Sequence, residues 1–289
     1  ANIKIQDGCE QFCSYCIIPH ARGGLKSREL KDTLTEVQKL VQQGVKEIVL
    51  TGIHLGEYGQ EKDNLDLAKL LQSLIKVDRL ERIRLSSIEG TEVSQKLIDL
   101  IAQSDKLCRH LHLPLQSGSN KILTAMNRPY KLEEFKTMVA RIKERIPKIA
   151  LTTDLMVGFP GESEEDFAHT CEVVEELEFS SVHVFKYSQR EGTPAAGFDE
   201  QVHSRVKKER SKKLRKIAKN LAQEYQEKFI GTTQEVLLED RRDSKTDLLT
   251  GLTDNYLRVL VDAKDELKGK LVRVRLKERD NRLYGELVD

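Results

Sequence analysis

The chain contains 289 residues, of which 38% are hydrophobic and 33% are charged, and its formal net charge is +1. This composition excludes an intrinsically disordered polyelectrolyte, and no apolar run approaches the roughly 18 residues of a membrane-spanning helix. Because the net charge is close to zero, any affinity for nucleic acid has to come from local basic patches.

Short apolar segments alternate with amphipathic helical patterns as far as about residue 229. This alternation predicts an α/β fold with six parallel strand–helix units. The predicted strands cover residues 3–6, 47–51, 82–86, 110–115, 149–157 and 182–187.

Two of the predicted helices carry signals at their ends. Residues 29–43 present one apolar face and stop before Gly44, and Ser163 precedes an acidic run as an N-cap. Residues 203–229 form a long helix whose outer face is strongly basic, a second candidate RNA contact or simply a solvated face. After Gly231 the pattern changes to short alternating strands with turn residues between them. The sequence therefore predicts two domains, residues 1–230 and a small all-β domain over residues 231–289.

Three of the five cysteines, Cys9, Cys13 and Cys16, lie on the loop after the first strand. Their odd number and the absence of a disulfide framework favour a reducing cytoplasm. Three thiolates on one short loop can hold three irons of a [4Fe–4S] cubane and leave the fourth iron open. An open iron can bind S-adenosylmethionine and pass it an electron. The alternative is a structural zinc site completed by His20.

The ends of the other strands should supply polar or small residues if this loop holds a cofactor at the mouth of a barrel. Asp154 lies inside an apolar strand, so its carboxylate either faces the mouth or pairs with a cation such as Arg84. Gly52 could instead serve only to turn the chain, and Arg190 could be an ordinary exposed arginine. The candidate cofactor-binding residues at the strand ends are Thr51, Gly52, Ser86, Gln116, Asp154, Gly158 and Arg190.

The motif Cys-x3-Cys-x-Tyr-Cys, with Tyr15 in the aromatic position, resembles the signature of radical S-adenosylmethionine enzymes. This resemblance implies a full or six-strand partial TIM-type barrel, in agreement with the six units counted above. It also implies that Thr51 and Gly52 hold the methionine amino group.

Over nearly its whole length the chain further resembles the methylthiotransferases, through residues 5–23, 112–119, 126–128 and 157–162. Residues 50–56, 84–89 and 184–188 resemble the branch that modifies N6-threonylcarbamoyladenosine beside the tRNA anticodon. Gly90 departs from that branch, which has proline there.

The resemblance implies that a methylthio group is added to position 2 of the modified adenine. One S-adenosylmethionine would supply the methyl group and another the radical, and an electron donor such as flavodoxin or ferredoxin would serve the cluster. Family members hold a second [4Fe–4S] cluster in an N-terminal domain, whereas Cys9 stands near the start of this sequence. We therefore expect a truncated protein that cleaves S-adenosylmethionine but does not insert sulfur.

The C-terminal residues resemble the TRAM domain, a small RNA-binding β-barrel. In residues 271–277 the apolar side chains alternate with Arg273, Arg275 and Lys277, which predicts a basic outer stripe suited to phosphates. Tyr256 and Tyr284 could stack on splayed bases of a tRNA anticodon stem-loop. Acidic and basic residues nearly balance over residues 231–289, so a solvated face without an RNA role is the alternative.

Two other functions remain open at this point. A methylthiotransferase acting on an aspartate of a ribosomal protein would share the barrel and differ in its substrate-facing loops. A zinc-stabilised RNA-binding protein without catalysis would use the cysteines as structural ligands. Cys108 and Cys171 lie in apolar contexts and are expected in the core.

Overall fold

The computed structural model describes residues 1–288. The strands of its first part are β1 (Asn2–Lys4), β2 (Gln6–Asp7), β3 (Lys26–Ser27), β4 (Glu47–Thr51), β5 (Arg82–Leu85), β6 (His110–His112), β7 (Ala150–Val157) and β8 (Ser181–Lys186). The helices are α1 (Ile18–Arg22), α2 (Leu30–Gln42), α3 (Leu67–Leu74), α4 (Gln95–Gln103), α5 (Asn120–Ala125), α6 (Leu132–Arg145), α7 (Glu164–Leu177) and α8 (Ser204–Glu227). None of these helices is long and apolar enough to cross a membrane.

Six parallel strands form an open barrel. β1 pairs with β4 and β4 with β5, while β6 pairs with β7 and β7 with β8. Parallel bridges between Ile83 and Leu107 and between Ser87 and His112 join the two halves. The predicted partial barrel is therefore confirmed. The short hairpin of β2 and β3 stands outside the barrel order.

The predicted strands differ from the structure mainly in their ends. β6 ends at His112, three residues earlier than predicted. Two residues later Pro114 lacks an N–H for the ladder, and Gln116 has a φ of 68°, which turns the chain. Ser163 and Asp166 form the capping box of α7, as the predicted N-cap requires.

The two faces of the barrel strands carry different side chains. Leu111, Leu155 and Val184 are almost completely buried in the core beneath the helices. The opposite face carries Asp154 on β7 and His183 on β8, which contact each other. Because side chains alternate along a strand, the polar face lines the lumen of the barrel. Cys108 and Cys171 are buried, as predicted.

The C-terminal part forms a closed five-stranded barrel. Its strands are β9 (Thr233–Arg242), β10 (Leu249–Thr253), β11 (Arg258–Val261), β12 (Leu271–Arg279) and β13 (Arg282–Leu287), in the order β10-β11-β13-β12-β9. Asp280 and Asn281 both have positive φ angles, so they form a tight two-residue hairpin turn. This barrel confirms the all-β pattern predicted for the C-terminal residues.

Two buried arginines at the start of β5 join the barrels. Arg82 donates to the carbonyls of Leu252 (3.0 Å) and Glu235 (2.7 Å). Arg84 donates to the carbonyls of Thr253 and Asp254, at 2.9 Å each. The C-terminal barrel therefore sits at the N-terminal ends of the strands, opposite the cysteine loop.

Candidate active site

The cysteine loop, residues 9–16, is fastened to the end of α5. The backbone N–H of Ser14 donates to the carbonyl of Met126 (3.0 Å), and its hydroxyl donates to Ala125 (2.7 Å). The side chain of Asn127 donates to the carbonyl of Phe12 (2.8 Å). The segment Met126-Asn127-Arg128, noted in the sequence without a role, therefore holds the loop in place.

Gly8 allows the loop to leave β2 in the required direction. Its φ is 76°, and a Cβ there would lie 1.9 Å from the carbonyl oxygen of Gly24. No other residue fits without moving the backbone. The N–H of Cys9 then donates to the carbonyl of Gly23 at 3.1 Å.

The three thiols face different loops around the mouth. Cys9 Sγ lies 3.4 Å from Nδ1 of His54, which follows β4. Cys13 Sγ accepts a hydrogen bond of 3.5 Å from Arg128. Burial and the neighbouring Cys13 and Cys9 raise the pKa of the Cys16 thiol, whereas the nearby charge of Arg190 opposes that rise.

His54 and Arg128, the two donors that contact the thiols, are each held by a buried carboxylate. Arg128 forms a buried ion pair with Glu89 and also donates to the carbonyl of Pro114 at 3.1 Å. His54 contacts Glu92 through Nε2. Burial alone would lower the pKa of His54, but its interactions with Cys9 and Glu92 raise the pKa to about 10.

These two side chains orient the sulfurs of Cys9 and Cys13, and the thiolate is the form of cysteine that binds metals. The two glutamates and the role of Arg128 were not predicted from the sequence. The available signals were the acidic residues that follow β5 and the Met126-Asn-Arg segment.

The spacing of the thiols distinguishes between the two alternatives for the cysteine loop, an iron–sulfur cluster and a zinc ion. Four ligands around one zinc at about 2.3 Å lie within about 3.8 Å of each other. Two sets of three potential ligand atoms within 4.8 Å of one another occur in residues 1–288. Neither set contains a cysteine or His20. In a cubane each thiolate binds a different iron, so wider spacing is required. The loop therefore fits a cluster better than a single tetrahedral ion.

The predicted residues at the end of β4 lie beside the loop. The N–H of Ile5 donates to the carbonyl of Thr51 (2.9 Å). A Cβ on Gly52 would lie 2.9 Å from Oε1 of Gln6, so the Gln6 side chain leaves room only for glycine at this position. Buried Gln6 accepts from the N–H of His54 (2.7 Å) and donates to the carbonyl of Gly8 (2.9 Å).

Ser86 and Gln116 occupy the ends of β5 and β6. The hydroxyl of Ser86 is buried and has no hydrogen-bond partner in the described residues, so it can receive a ligand atom. The backbone of Gln116 is fixed by bonds with Asp154 (2.8 Å) and Met156 (2.9 Å), and its side chain is half-buried.

The remaining candidates lie near Cys16 or α8. Tyr15 packs beside Met126 and Phe159, and burial raises the pKa of its phenol. Arg190 is exposed after β8. Gly158 has a φ of 71°, and a Cβ there would lie 2.3 Å from the side chain of Lys207. The space beside Gly158 is therefore filled by the protein itself.

Asp154 does not pair with Arg84, which corrects one of the two expectations for this residue. Arg84 donates to Glu47 at 2.9 Å instead. Oδ1 of Asp154 lies 3.3 Å from Nε2 of His112 and 3.4 Å from Nδ1 of His183. Burial opposes ionisation, but the two imidazoles hold the pKa of Asp154 well below its usual range. Interaction with Asp154 raises the pKa of His183.

The predicted basic stripe is present on β12. Arg273, Arg275 and Lys277 are exposed, whereas Val274 and Leu276 between them are completely buried. Lys277 pairs with Glu286 at 2.6 Å. Tyr284, half-buried, lies opposite Lys277 on β13.

Tyr256 lies apart from this stripe, at the contact between the two barrels. Its ring stacks on His110 with a centroid distance of 4.3 Å and an interplanar angle of 11°. The Arg84 guanidinium lies 5.3 Å from the ring centre. Tyr256 therefore packs at the junction of the two barrels, where its side chain remains 43% exposed.

The chain is similar to known proteins over most of its length. Residues 3–174 match the family model of the Radical SAM superfamily. The chain is similar to the threonylcarbamoyladenosine tRNA methylthiotransferase MtaB of Bacillus subtilis, with 42% identity over 96% of this chain and 62% of the relative. It is also similar to the tRNA-2-methylthio-N(6)-dimethylallyladenosine synthase of Alkaliphilus oremlandii, with 43% identity over 99% of this chain and 61% of the relative. The chain thus spans about three fifths of the length of these relatives.

Solved structures show the same fold at low identity. The radical S-adenosylmethionine methyltransferase TsrM from Kitasatospora setae, with cobalamin and a [4Fe–4S] cluster bound, superposes with a TM-score of 0.58 at 19% identity, covering 68% of this chain and 38% of that protein. Methylornithine synthase (PylB) superposes with a TM-score of 0.53 at 16% identity, covering 75% and 62%.

Proposed function

Because this chain belongs to the Radical SAM superfamily, we propose that it forms the cluster-binding and RNA-binding part of a tRNA methylthiotransferase. The substrate would be threonylcarbamoyl-modified adenosine next to the anticodon, and the product its 2-methylthio derivative. The observation that carries the proposal is the placement of Cys9, Cys13 and Cys16 around the barrel mouth, each against a different loop. The similarity to the Bacillus subtilis relative supports the choice of substrate.

When bound, a [4Fe–4S] cluster and S-adenosylmethionine supply reductive cleavage of a carbon–sulfur bond, which generates the radical. Cys9, Cys13 and Cys16 would hold the cluster, and the hydrogen bonds from His54 and Arg128 keep two of these sulfurs oriented. An electron donor such as flavodoxin or ferredoxin would act in the reducing cytoplasm.

The protein's own residues can bind and position S-adenosylmethionine. The unpaired hydroxyl of Ser86 offers a hydrogen bond at the mouth. Thr51 and Gly52 offer backbone groups at the end of β4, and Gln116 an amide at the end of β6. Arg190 can bind a carboxylate, because guanidinium matches it in bidentate geometry. Tyr15 packs against an apolar cluster that includes Phe159, the residue after Gly158, and this cluster excludes water from this side.

The RNA would bind through the C-terminal barrel. Arg273, Arg275 and Lys277 present their charges to phosphates along one exposed strand. Tyr284 lies beside Lys277 and can stack on an unpaired base.

The test combines cluster loading with RNA binding. After anaerobic reconstitution the wild type should hold about four irons with acid-labile sulfide and release 5′-deoxyadenosine from S-adenosylmethionine under strong reductant. Cys13→Ala should lose both properties, whereas the matched control Cys108→Ala, a core cysteine, should retain both. The wild type should also bind an anticodon stem-loop carrying threonylcarbamoyladenosine more tightly than an unrelated hairpin.

Two results would contradict the proposal. One is retention of 5′-deoxyadenosine release by Cys13→Ala. The other is a colourless protein with one equivalent of zinc and no sulfide.

A further inference from the structure

The lumen wall of β7 and β8 carries an exposed aromatic side chain beside a carboxylate. Phe185 is 51% exposed, whereas Val184 on the opposite face is 4% exposed. His183, two residues earlier on the same face, is half-exposed and contacts Asp154. Because β8 is the edge of the open barrel, this wall is accessible from the side.

The carboxylate on this wall has unused capacity to accept hydrogen bonds. Oδ1 of Asp154 is buried and has no well-directed hydrogen bond in the described residues. The two imidazole nitrogens lie 3.3 and 3.4 Å away, beyond the roughly 2.7–2.9 Å of a charge-assisted hydrogen bond. His112 is held in place by Thr152, whose Oγ1 lies 2.8 Å from its Nδ1. The Asp154 side chain is still 25% exposed, away from the buried Oδ1, so a ligand N–H would approach the carboxylate from that exposed side.

The surroundings of this wall favour a nucleic acid as the source of that ligand. α8 runs along β8, where Arg215 donates to the carbonyl of Val184 (2.5 Å). Exposed lysines of α8, among them Lys212, Lys216 and Lys219, lie on the outer surface of this helix. Such a row of cations attracts a phosphate backbone.

The lumen wall also continues toward the C-terminal barrel. A cavity at the junction of the two barrels is lined by Thr152 and Ser181 of the wall and by Tyr256 and Arg258 of the C-terminal barrel. Thr152 lies two residues before Asp154 on β7. RNA held on the C-terminal barrel would therefore approach the lumen along its open side, at the edge strand β8.

We propose that Phe185, Asp154 and His183 form the binding site for the target adenine, which is turned out of the RNA into the lumen. Phe185 stacks on the base, Asp154 accepts a hydrogen bond from its exocyclic N–H, and His183 hydrogen-bonds to a ring nitrogen. This inference rests on the proposed function and assigns Asp154 to the RNA substrate instead of S-adenosylmethionine. Stacking on an aromatic ring and hydrogen bonding at base edges are the usual way in which proteins hold unpaired bases.

The test compares two anticodon stem-loops that differ only in the target nucleotide, one with threonylcarbamoyladenosine and one with an abasic site there. The cluster-loaded wild type should bind the first more tightly. Phe185→Ala should weaken binding of the adenosine stem-loop by about 5- to 150-fold, the range for removing base stacking. It should leave the abasic stem-loop unaffected. Phe185→Tyr keeps the ring and should retain the preference, and Asp154→Asn should reduce it.

The failures of the two proposals can be told apart. If the wild type does not distinguish the two stem-loops, the inference is overturned, whereas the proposed function fails separately, in the tests of cluster loading and 5′-deoxyadenosine release. If the wild type distinguishes them and Phe185→Ala does so equally well, only the inference is overturned. It is also overturned if Asp154→Asn weakens S-adenosylmethionine binding and leaves the stem-loop preference intact. A last outcome would also overturn the inference: the wild type retains one equivalent of zinc or manganese, and Asp154→Asn loses it. His112, Asp154 and His183 would then form a metal site.

Discussion

Arg128 provides the most direct test of how the cysteine loop is supported. The side chains of Arg128 and Glu89 are only 4% and 10% exposed. Arg128→Met would leave the Glu89 carboxylate buried without its cation. Removing one partner of a buried ion pair costs about 3–5 kcal/mol. Glu89 can limit this cost by taking a proton, because burial already raises its pKa above the usual value despite Arg128.

The pH dependence of this loss follows from protonation. Protonating a glutamate with an ordinary pKa of about 4.3 costs about 3.7 kcal/mol at pH 7 and about 1 kcal/mol at pH 5. In Arg128→Met the folded state favours the protonated form of the Glu89 carboxyl. The stability of the variant is therefore retained at low pH and lost as the pH rises. The free energy of unfolding of the variant should therefore fall by about 3–4 kcal/mol at pH 7, and the decrease at pH 5 should be smaller by about 2 kcal/mol. Adding Glu89→Gln should restore most of the loss at pH 7.

Urea unfolding of the cluster-free protein, followed by circular dichroism at both pH values, measures these differences. Arg145→Met is the matched control, because Arg145 pairs with Asp99 at the surface, where both side chains are well exposed. It should cost less than about 1 kcal/mol. A loss below about 1 kcal/mol at pH 7 for Arg128→Met, or the same loss at both pH values, would refute the reasoning.

Three further predictions concern the packing around α7. Ser163→Ala removes the side chain that caps α7 and should lower the free energy of unfolding in urea by about 1 kcal/mol. No change would mean that the cap does not stabilise the helix. Gly118→Ala would place a Cβ 2.6 Å from Cα of Thr170 on α7, so it should lower stability by about 1–3 kcal/mol in thermal unfolding; an unchanged melting temperature would contradict the contact. Although burial opposes it, bonding to Ser119, Ser163 and Lys121 lowers the pKa of Asp166 to about 2. This stabilisation should be complete above pH 3.8 and disappear as the pH falls toward 2; an acid titration of stability should show a smaller loss in Asp166→Asn than in the wild type.

The two barrels together give the molecule two ends with different chemistry. The thiols and their donors stand at the C-terminal ends of the strands. Arg82, Arg84 and Tyr256 fasten the C-terminal barrel to the other end. A substrate held between these ends would meet the polar lumen face, which is where Asp154 and His183 lie.

The sequence by itself determined the order of the elements and the position of the cysteine loop. Hydrophobic alternation and the Ser163 cap act over a few residues, so they can be interpreted without the fold. Local patterns correctly predicted the strand–helix alternation, the all-β C-terminal part and the burial of Cys108 and Cys171, whereas the partial barrel and the C-terminal barrel were implied by the resemblance to known families.

Only the tertiary structure decided which side chains meet. Glu89 pairs with Arg128 across 39 positions, Asp154 meets two histidines instead of Arg84, and Tyr256 stacks on His110. These contacts depend on strand register and on how the barrel curves, which no local pattern specifies. Gly52 and Gly158 show the same effect, because Gln6 and Lys207 from distant segments occupy the space that a side chain would need.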